Sequence, residues 1–546
     1  MDPAAPYAPS IRRALALPKV VIMPKLPPLL LRHFCWAFCL PLVLLLGAGL
    51  RESCAQSNTG ELEIRAVDAT TGEPLAVRMH LKDQKGKTVK PPKVPFWNDH
   101  FVFHGIIILK LPVGNYTFEM ERGPEYKFRS GYFTIDRGAT DNKTVEMHRF
   151  IDMKKEGWWS GDLSVYRPAA DMDLLMRAED LHLAVVSPPP AATASKNAPE
   201  AAPREMKIET FGEDRIVAYT GQVDARSTGA ILSIDAKETA VFPKENSEYP
   251  STLSLARQLE ESGSTTLLAE SATSWDLPVW VASGTLDGIL VAGPHLIRDP
   301  LTAGKWQPAG KPLDTLLYPG RQGSGRWASM AYYHLLNCGL RIPPAAGSGT
   351  GKSPNPLGYS RVYVHCGEKF TYESWWENFR KGRCIITNGP MIQPKVNGQL
   401  PGHVFTAEQG ETVALKISLN LSTREKIEYL EVVKDGKVEH EVRLDEWAAA
   451  GGKLPDIEFQ KSGWLAIRAV TSNPDAYRFA STGPYYVEIG YQPRISKTSS
   501  QFMLDWVVER AKQLKFATPE ERESVIVEHR AARDFWTKKV ETATDE

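Results

Sequence analysis

Three polar residues stand just past short apolar runs of the kind that form buried strands. Asp162 follows Trp158-Trp-Ser-Gly161, Glu270 follows Leu267-Leu-Ala269, and His295 follows Leu290-Val-Ala-Gly-Pro294. In α/β sheets and barrels, ligands sit beyond the carboxyl ends of parallel strands. A carboxylate and an imidazole from successive strand ends can therefore converge on one metal ion or one substrate. The plainer alternative is that all three are surface-loop residues. Other chemistry-bearing side chains read as structural: His182 at the end of a predicted helix, and His334 between Tyr333 and Leu335 on another. Trp158, Trp159, Trp275, Trp280, Trp375 and Trp376 could stack on sugar rings, but packing accounts for them equally well. Arg361 and Arg383 flank strands and could face an anion, with ion pairing as the commoner use.

The elements that must position these residues follow from periodicity. From about residue 155, helix and strand alternate. Predicted helices cover Asp171–Leu181, Leu253–Ser262, Trp275–Ser283, Trp327–Cys338 and Tyr372–Phe379. Predicted strands cover Leu183–Val186, Ile231–Asp235, Thr265–Glu270, Gly288–Ala292, Arg361–Val364 and Cys384–Thr387. Such alternation predicts a parallel sheet, open or closed into a barrel. Ser187–Glu205, rich in Pro and Ala, reads as a loop. On either side the period becomes two. Leu62–Val67, Ala76–Leu81, Ile106–Leu111, Tyr116–Glu121 and Phe128–Ile135 predict one β-sandwich. Val413–Leu421, Ile427–Lys434, Val438–Leu444, Gly463–Val470 and Tyr485–Ile489 predict a second. Phe502, Trp506, Val507 and Leu514 recur at helical spacing, and Thr518-Pro-Glu-Glu521 has the form of a capping box opening a last helix. The divisions are 1–55, 56–150, 151–391, 392–496 and 497–546.

The first of these segments reads as a secretion signal. A basic lead (Arg12, Arg13, Lys19, Lys25, Arg32) precedes the apolar run Phe34–Leu50, and Ser53-Cys-Ala55 supplies small residues for cleavage. The expectation is a secreted or periplasmic protein, with an uncleaved surface anchor as the alternative and no other membrane segment. Cys35, Cys39 and Cys54 would leave with the signal; Cys338, Cys366 and Cys384 remain, an odd number without metal-type spacing, and read as free buried thiols. Sixty-five basic residues balance sixty-five acidic ones, so no long-range field favours a nucleic acid. Asn115, Asn142 and Asn420 open glycan acceptor triplets, which matter only on a eukaryotic secretory route.

The phrases GWWSGDLSVYRP, DLLMRAEDLHLA, YYHLLNCGLRIPPAAGSGTG, NPLGYSRVYVH and GRCIITNGP, in this order, resemble the carbaryl-hydrolase-type (CehA/McbA) metallohydrolase family of the PHP superfamily, over Gly157–Pro390. DATTGEPL and LPVGNYTF resemble transthyretin-like or carboxypeptidase-regulatory modules. The resemblance implies a distorted (β/α)7 barrel between two β-sandwiches, with a helical C-terminal tail. It also implies divalent metal ions held by histidines and acids at strand ends, for hydrolysis of esters or phosphoesters.

Against that pattern the chain departs at the ligands. The family's Gly-Asp-Leu-His-Val-His reads here Gly161-Asp-Leu-Ser-Val-Tyr166, so Ser164 and Tyr166 replace two imidazoles. A neutral hydroxyl is a poor ligand, and a phenol ionises only near pH ~10. The next acidic–histidine motif is Ser187-Pro-Pro-Pro190, and the late Gly-Ser-Asp is Gly347-Ser-Gly349. Glu270 and His295 match ligand positions and are the residual metal candidates for zinc, manganese or iron; each can equally pair with the other or with Arg326. Two ligands fall short of the three usual in a catalytic zinc site. The expectation is a barrel without a tightly held metal, serving to bind a small molecule, carbohydrate or ester, or as a scaffold. The rival is a reduced hydrolase in which Glu270 and His295 hold the metal, aided by Asp162, Tyr166 and Arg326 as catalytic candidates.

Overall fold

The computed structural model describes residues 58–188, 207–226, 228–238, 241–243, 247–263, 265–299 and 309–545. These residues belong to one compact unit, Gln56–Glu546. The segment read as a secretion signal, its three cysteines and nearly all of the Ser187–Glu205 loop lie outside them.

Alternation of buried and exposed residues makes the first module. Ile106–Pro112, Thr59–Asp68 and Thr140–Met147 form one sheet. Phe96–Trp97, His100–His104, Ala76–Asp83, Gly114–Glu121 and Arg129–Ile135 form another, in that order. Both contribute to one core that includes Leu62, Ile64, Met79, Phe101, Phe118 and Met120. The hairpin Phe96–His104 has no counterpart among the predicted strands, because Pro-rich Lys90–Pro95 hides its start.

The alternating middle region divides between two sheets. Gln222–Arg226, Gly229–Ile234, Thr266–Ala269, Gly288–Ala292 and Pro344–Ala346 make a five-stranded sheet whose last three members run parallel. The other sheet has twelve strands. Its path begins Ile208–Phe211, Arg215–Ala218, Leu183–Val186, Trp158–Val165, Arg361–His365 and Cys384–Thr387, then continues without a break into Phe479–Thr482 and Gly463–Thr471. Among the described residues, no ladder of hydrogen bonds closes into a ring. The parallel runs are flanked by antiparallel pairs, such as Gln222–Arg226 with Gly229–Ile234 and Arg361–His365 with Trp158–Val165. The simple repetition of β-then-α units expected from the sequence therefore does not hold, because several connections are short hairpins that leave no room for a crossover helix.

In the C-terminal region, Met391–Val396, Val413–Ser422 and Lys453–Phe459 form a three-stranded sheet. A period of two is visible in Val413–Ser422, where Leu415, Ile417 and Leu419 are buried in one core with Leu430, Val432 and Ile467. The tail helices Lys497–Ala511 and Pro519–Glu541 dock on the middle region. Trp506 donates Nε1–H to the Trp275 carbonyl at 3.0 Å, Trp536 does the same to Pro278 at 2.9 Å, and Arg510 pairs with Glu248 and Asp276. Thr518 accepts from the N–H of Glu521, as its sequence predicted. Cys338, Cys366 and Cys384 are free thiols; Cys338 and Cys384 are buried. No described helix is long and apolar enough to cross a membrane.

Candidate functional site

Trp158–Val165 is buried along its whole length, so its alternation is chemical rather than solvent-driven. With a period of two, Asp162, Ser164 and Tyr166 fall on one side and Leu163 and Val165 on the other. The Gly347–Gly351 loop lies along this end of the strand: Gly349 N–H donates to Ser164 O at 2.9 Å, and Tyr166 N–H to Thr350 O at 2.8 Å. Close approach demands the glycines. A Cβ on Gly347 would lie 2.7 Å from Ser164 Cβ, and one on Gly351 only 2.3 Å from Tyr166 O.

Glu270 stands at the end of Thr266–Ala269, as expected, and the structure brings it to Ser164 and Tyr166. Ser164 Oγ donates to Oε1 at 2.9 Å and Tyr166 Oη to the same oxygen at 2.8 Å. Its other oxygen accepts from Lys352 Nζ at 2.8 Å. Burial pushes the Glu270 carboxyl up, but the ammonium and the two hydroxyls outweigh it and hold the group below its ordinary value. The Tyr166 phenol is driven well above its ordinary range, by burial first and then by Glu270, and so remains a donor.

Asp162 takes other partners. Ser348 gives it both its N–H (2.9 Å) and its hydroxyl, while the N–H groups of Gly358 (2.8 Å) and Ser164 (3.2 Å) complete four donors. Burial nonetheless raises its carboxyl to about 6. Asp162 is thus a staple for the 348–358 loop. His295 follows Gly288–Ala292, buried, with neither ring nitrogen hydrogen-bonded, and burial lowers its pKa to about 4.

Arg326 does not belong to this group. It is exposed on the helix Gly323–Asn337, donating to Gln322 at 3.1 Å and lying 5.9 Å from the Tyr477 ring. The helix begins four residues before the predicted Trp327, which places Arg326 in its first turn facing solvent while Trp327 and Ala328 face the core. Sequence reasoning missed Lys352 and Ser348. The only signal for Lys352 was its place immediately after the Gly-rich 347–351 run.

The donor set does not fit a divalent cation. An ionised carboxylate offers about four acceptor sites, and Glu270 already uses three on two hydroxyls and an ammonium. An ion placed there would meet the Lys352 charge at close range. Covalent catalysis needs a side-chain nucleophile beside a free base, and here Ser164 and Tyr166 donate to a carboxylate that Lys352 already pairs. His182 and His334, read as structural, lie away from Glu270: His182 Nδ1 is 2.9 Å from Ser160 Oγ, and His334 stacks on Phe502. Arg361 is buried on the carbonyls of Gly358 and Glu179, and Arg383 is exposed beside Asn378. A cleft of about 530 Å³, lined by Arg341, Arg380, Lys381, Arg383 and His403 among others, shares none of the residues around Glu270.

No family model matches the chain, and no curated protein does. Among solved structures, the Bacillus anthracis TIE protein is 24% identical over 21% of this chain and 20% of its own, with a TM-score of 0.14. A pilus-presented adhesin, Spy0125 (Cpa), is 16% identical over 17% and 28%, with a TM-score of 0.13. The chain thus spans less than a third of either protein, and similarity this slight carries no argument about fold or role.

Proposed function

We propose that this chain is an exported, non-catalytic relative of the carbaryl-hydrolase-type (CehA/McbA) enzymes of the PHP superfamily, with a distorted barrel between two β-sandwiches retained for binding or scaffolding. Its ligand would be a small molecule, carbohydrate or ester. One observation carries the reading: the acid that survives at a ligand position, Glu270, is bonded to Ser164, Tyr166 and Lys352. The chain supplies its own monovalent cation to that carboxylate. The two residues that stand in for imidazoles have become hydroxyl donors to it, so the substitutions form a self-consistent set. Random loss would leave a buried carboxylate unpaired, at a cost of several kcal/mol, on the order of 3–5.

The test is hydrolysis of nitrophenyl esters and phosphoesters by the purified protein after equilibration with zinc or manganese, alongside elemental analysis. The expected result is no turnover that depends on Glu270, and metal content identical in the wild type, Glu270→Gln and His295→Gln. Metal-dependent turnover abolished by Glu270→Gln would establish the rival, a working hydrolase with a reduced ligand set.

A further inference from the structure

The first module has a second buried face, opposite its apolar core. On Ala76–Asp83, Val77, Met79 and Leu81 enter that core, so Arg78 and His80 point the other way. The register pairs His80 with Glu119 and Arg78 with Glu121 on the next strand. On the other side, Met79 pairs with Phe101, which brings His100 beside His80 with ring centroids 5.2 Å apart. All but the half-buried Glu119 are almost wholly shielded from solvent. A polar sheet face has been covered, and its charges must be answered there.

Most are. Arg78 pairs with Glu121 and Glu179, and Arg298 with Glu119 and Glu121. The histidines are answered only in part. Asp99 occupies the tight turn between Phe96–Trp97 and His100–His104, where Asn98 adopts a left-handed φ of 50°. His80 Nδ1 lies 3.1 Å from Asp99 Oδ2, and His100 Nδ1 lies 3.2 Å from Asp99 Oδ1. Yet neither ring nitrogen of His80 makes a hydrogen bond, although the side chain is 5% exposed. The His100 contact is a hydrogen bond, whereas His80 approaches the same carboxylate without hydrogen-bond alignment, the geometry of a ligand atom directed at a common third partner. Two ligands on a tetrahedral zinc, each at about 2.0–2.1 Å, stand about 3.3 Å apart.

We propose that His80, Asp99 and His100 form a divalent-cation site of the zinc type, in the first module and separate from the strand ends. One ligand atom from each lies within 4.8 Å of the others. Two imidazoles and a carboxylate are a complete protein set for zinc, with a fourth position left for water, since the neighbouring Glu119 and Glu121 are held by arginines. The site would also brace the module against the loop that carries Lys352. Trp97, in the same hairpin, donates to the Ser353 carbonyl at 3.0 Å, and Arg167 lies over its ring.

The experiment strips the full-length protein with a chelator, then titrates zinc chloride by calorimetry and counts bound zinc by elemental analysis. The expected result is one equivalent per chain in the wild type and in Glu270→Gln, and its loss in Asp99→Asn and His100→Gln. Zinc should also raise the wild-type Tm and leave that of Asp99→Asn unmoved. A stripped wild type that retains its circular dichroism and takes up no zinc overturns the proposal, as does uptake unaffected by either module substitution. Zinc lost in Glu270→Gln alone would overturn the non-catalytic reading as well, so the two failures are distinguishable.

Discussion

Lys352 reaches Glu270 across 82 positions of sequence, its ammonium 2.8 Å from Oε2, while Tyr166 and Ser164 take the opposite oxygen. Both ends of this pair come from strand-end loops, the region where a barrel enzyme keeps its reactive groups. A buried carboxylate is tolerated only with a charge partner and hydrogen bonds, and here the chain itself provides both. The folded state thus depends on an arrangement that occupies the groups a catalyst would need free.

Removing the cation should be costly. Lys352→Met leaves Glu270 buried with two neutral donors, a loss of about 3 kcal/mol. Glu270→Gln, which keeps an acceptor for the hydroxyls, should lose less, and the double variant should recover part of the Lys352→Met deficit. In Lys352→Met the Glu270 carboxyl no longer has the charge that holds it down, so burial raises it. A raised acid is stabilising when protonated, and this variant should regain stability as pH falls from 7 to 5. Urea denaturation of the four proteins at both pH values measures this; strictly additive losses would sink the pairing argument.

Asp162 predicts a pH slope of its own. Its carboxyl rises from 3.8 to about 6 because burial outweighs its four donors. The folded protein therefore holds that proton more tightly than the unfolded chain. The resulting stability is fully present below about pH 3.8 and is lost as pH rises through 6, a change of about 2 kcal/mol between pH 4 and 7. Asp162→Asn takes up no proton, and its amide turns a donor toward the N–H groups of Ser348 or Gly358. The variant should be less stable throughout, with the gap to wild type wider at pH 4 than at pH 7. Amide exchange at Ser348 and Gly358 should quicken in it.

The Gly-rich loop can be probed at one residue with a control. Gly351 has φ +92°, and an added Cβ would stand 2.3 Å from the Tyr166 carbonyl oxygen. Gly351→Ala should cost about 2–4 kcal/mol, combining left-handed strain with a backbone clash. Gly367, at φ +67°, has nothing within 4 Å of the added atom, so Gly367→Ala should cost only about 1 kcal/mol. Comparable melting shifts in the two would mean that loop packing against Tyr166 contributes little.

Where the sequence was readable, the reason is local. Gly288–Ala292, Cys384–Thr387, Ile427–Lys434 and Tyr485–Ile489 match their predicted limits because each is a mostly apolar run bounded by turn or polar residues. Arg215–Ala218 and Gln222–Arg226 were missed because each is short and opens on a polar residue, with charges interrupting the second, so neither reads as an apolar run. In the site, Asp162 was legible as a strand-end acid, and Ser164 and Tyr166 as the residues standing where the resembled family carries two histidines. Glu270 was legible as a strand-end acid. Lys352 was not, because its meaning lies in a contact that no spacing rule encodes. The His80–Asp99–His100 group was invisible for the same reason: its members are dispersed until two strands pair in register.

The tail offers the last prediction. His334 stacks on Phe502 with ring centroids 4.1 Å apart and places Nδ1 3.0 Å from Ser499 Oγ, both partners lying on the helix Lys497–Ala511. Burial depresses its pKa from 6.5 to about 4. A base lowered on folding contributes its full stability above the unfolded value and loses it as pH falls through the folded one. Between pH 7 and 5 the wild type should therefore lose about 1 kcal/mol at this residue, after allowance for its solvent-facing edge. His334→Gln keeps a polar partner for Ser499 and cannot titrate, so its stability should vary less over that interval. In the wild type, amide exchange over 497–511 should accelerate at pH 5 relative to the variant. Equal pH slopes and equal exchange in the two proteins would show that the tail docks independently of this imidazole.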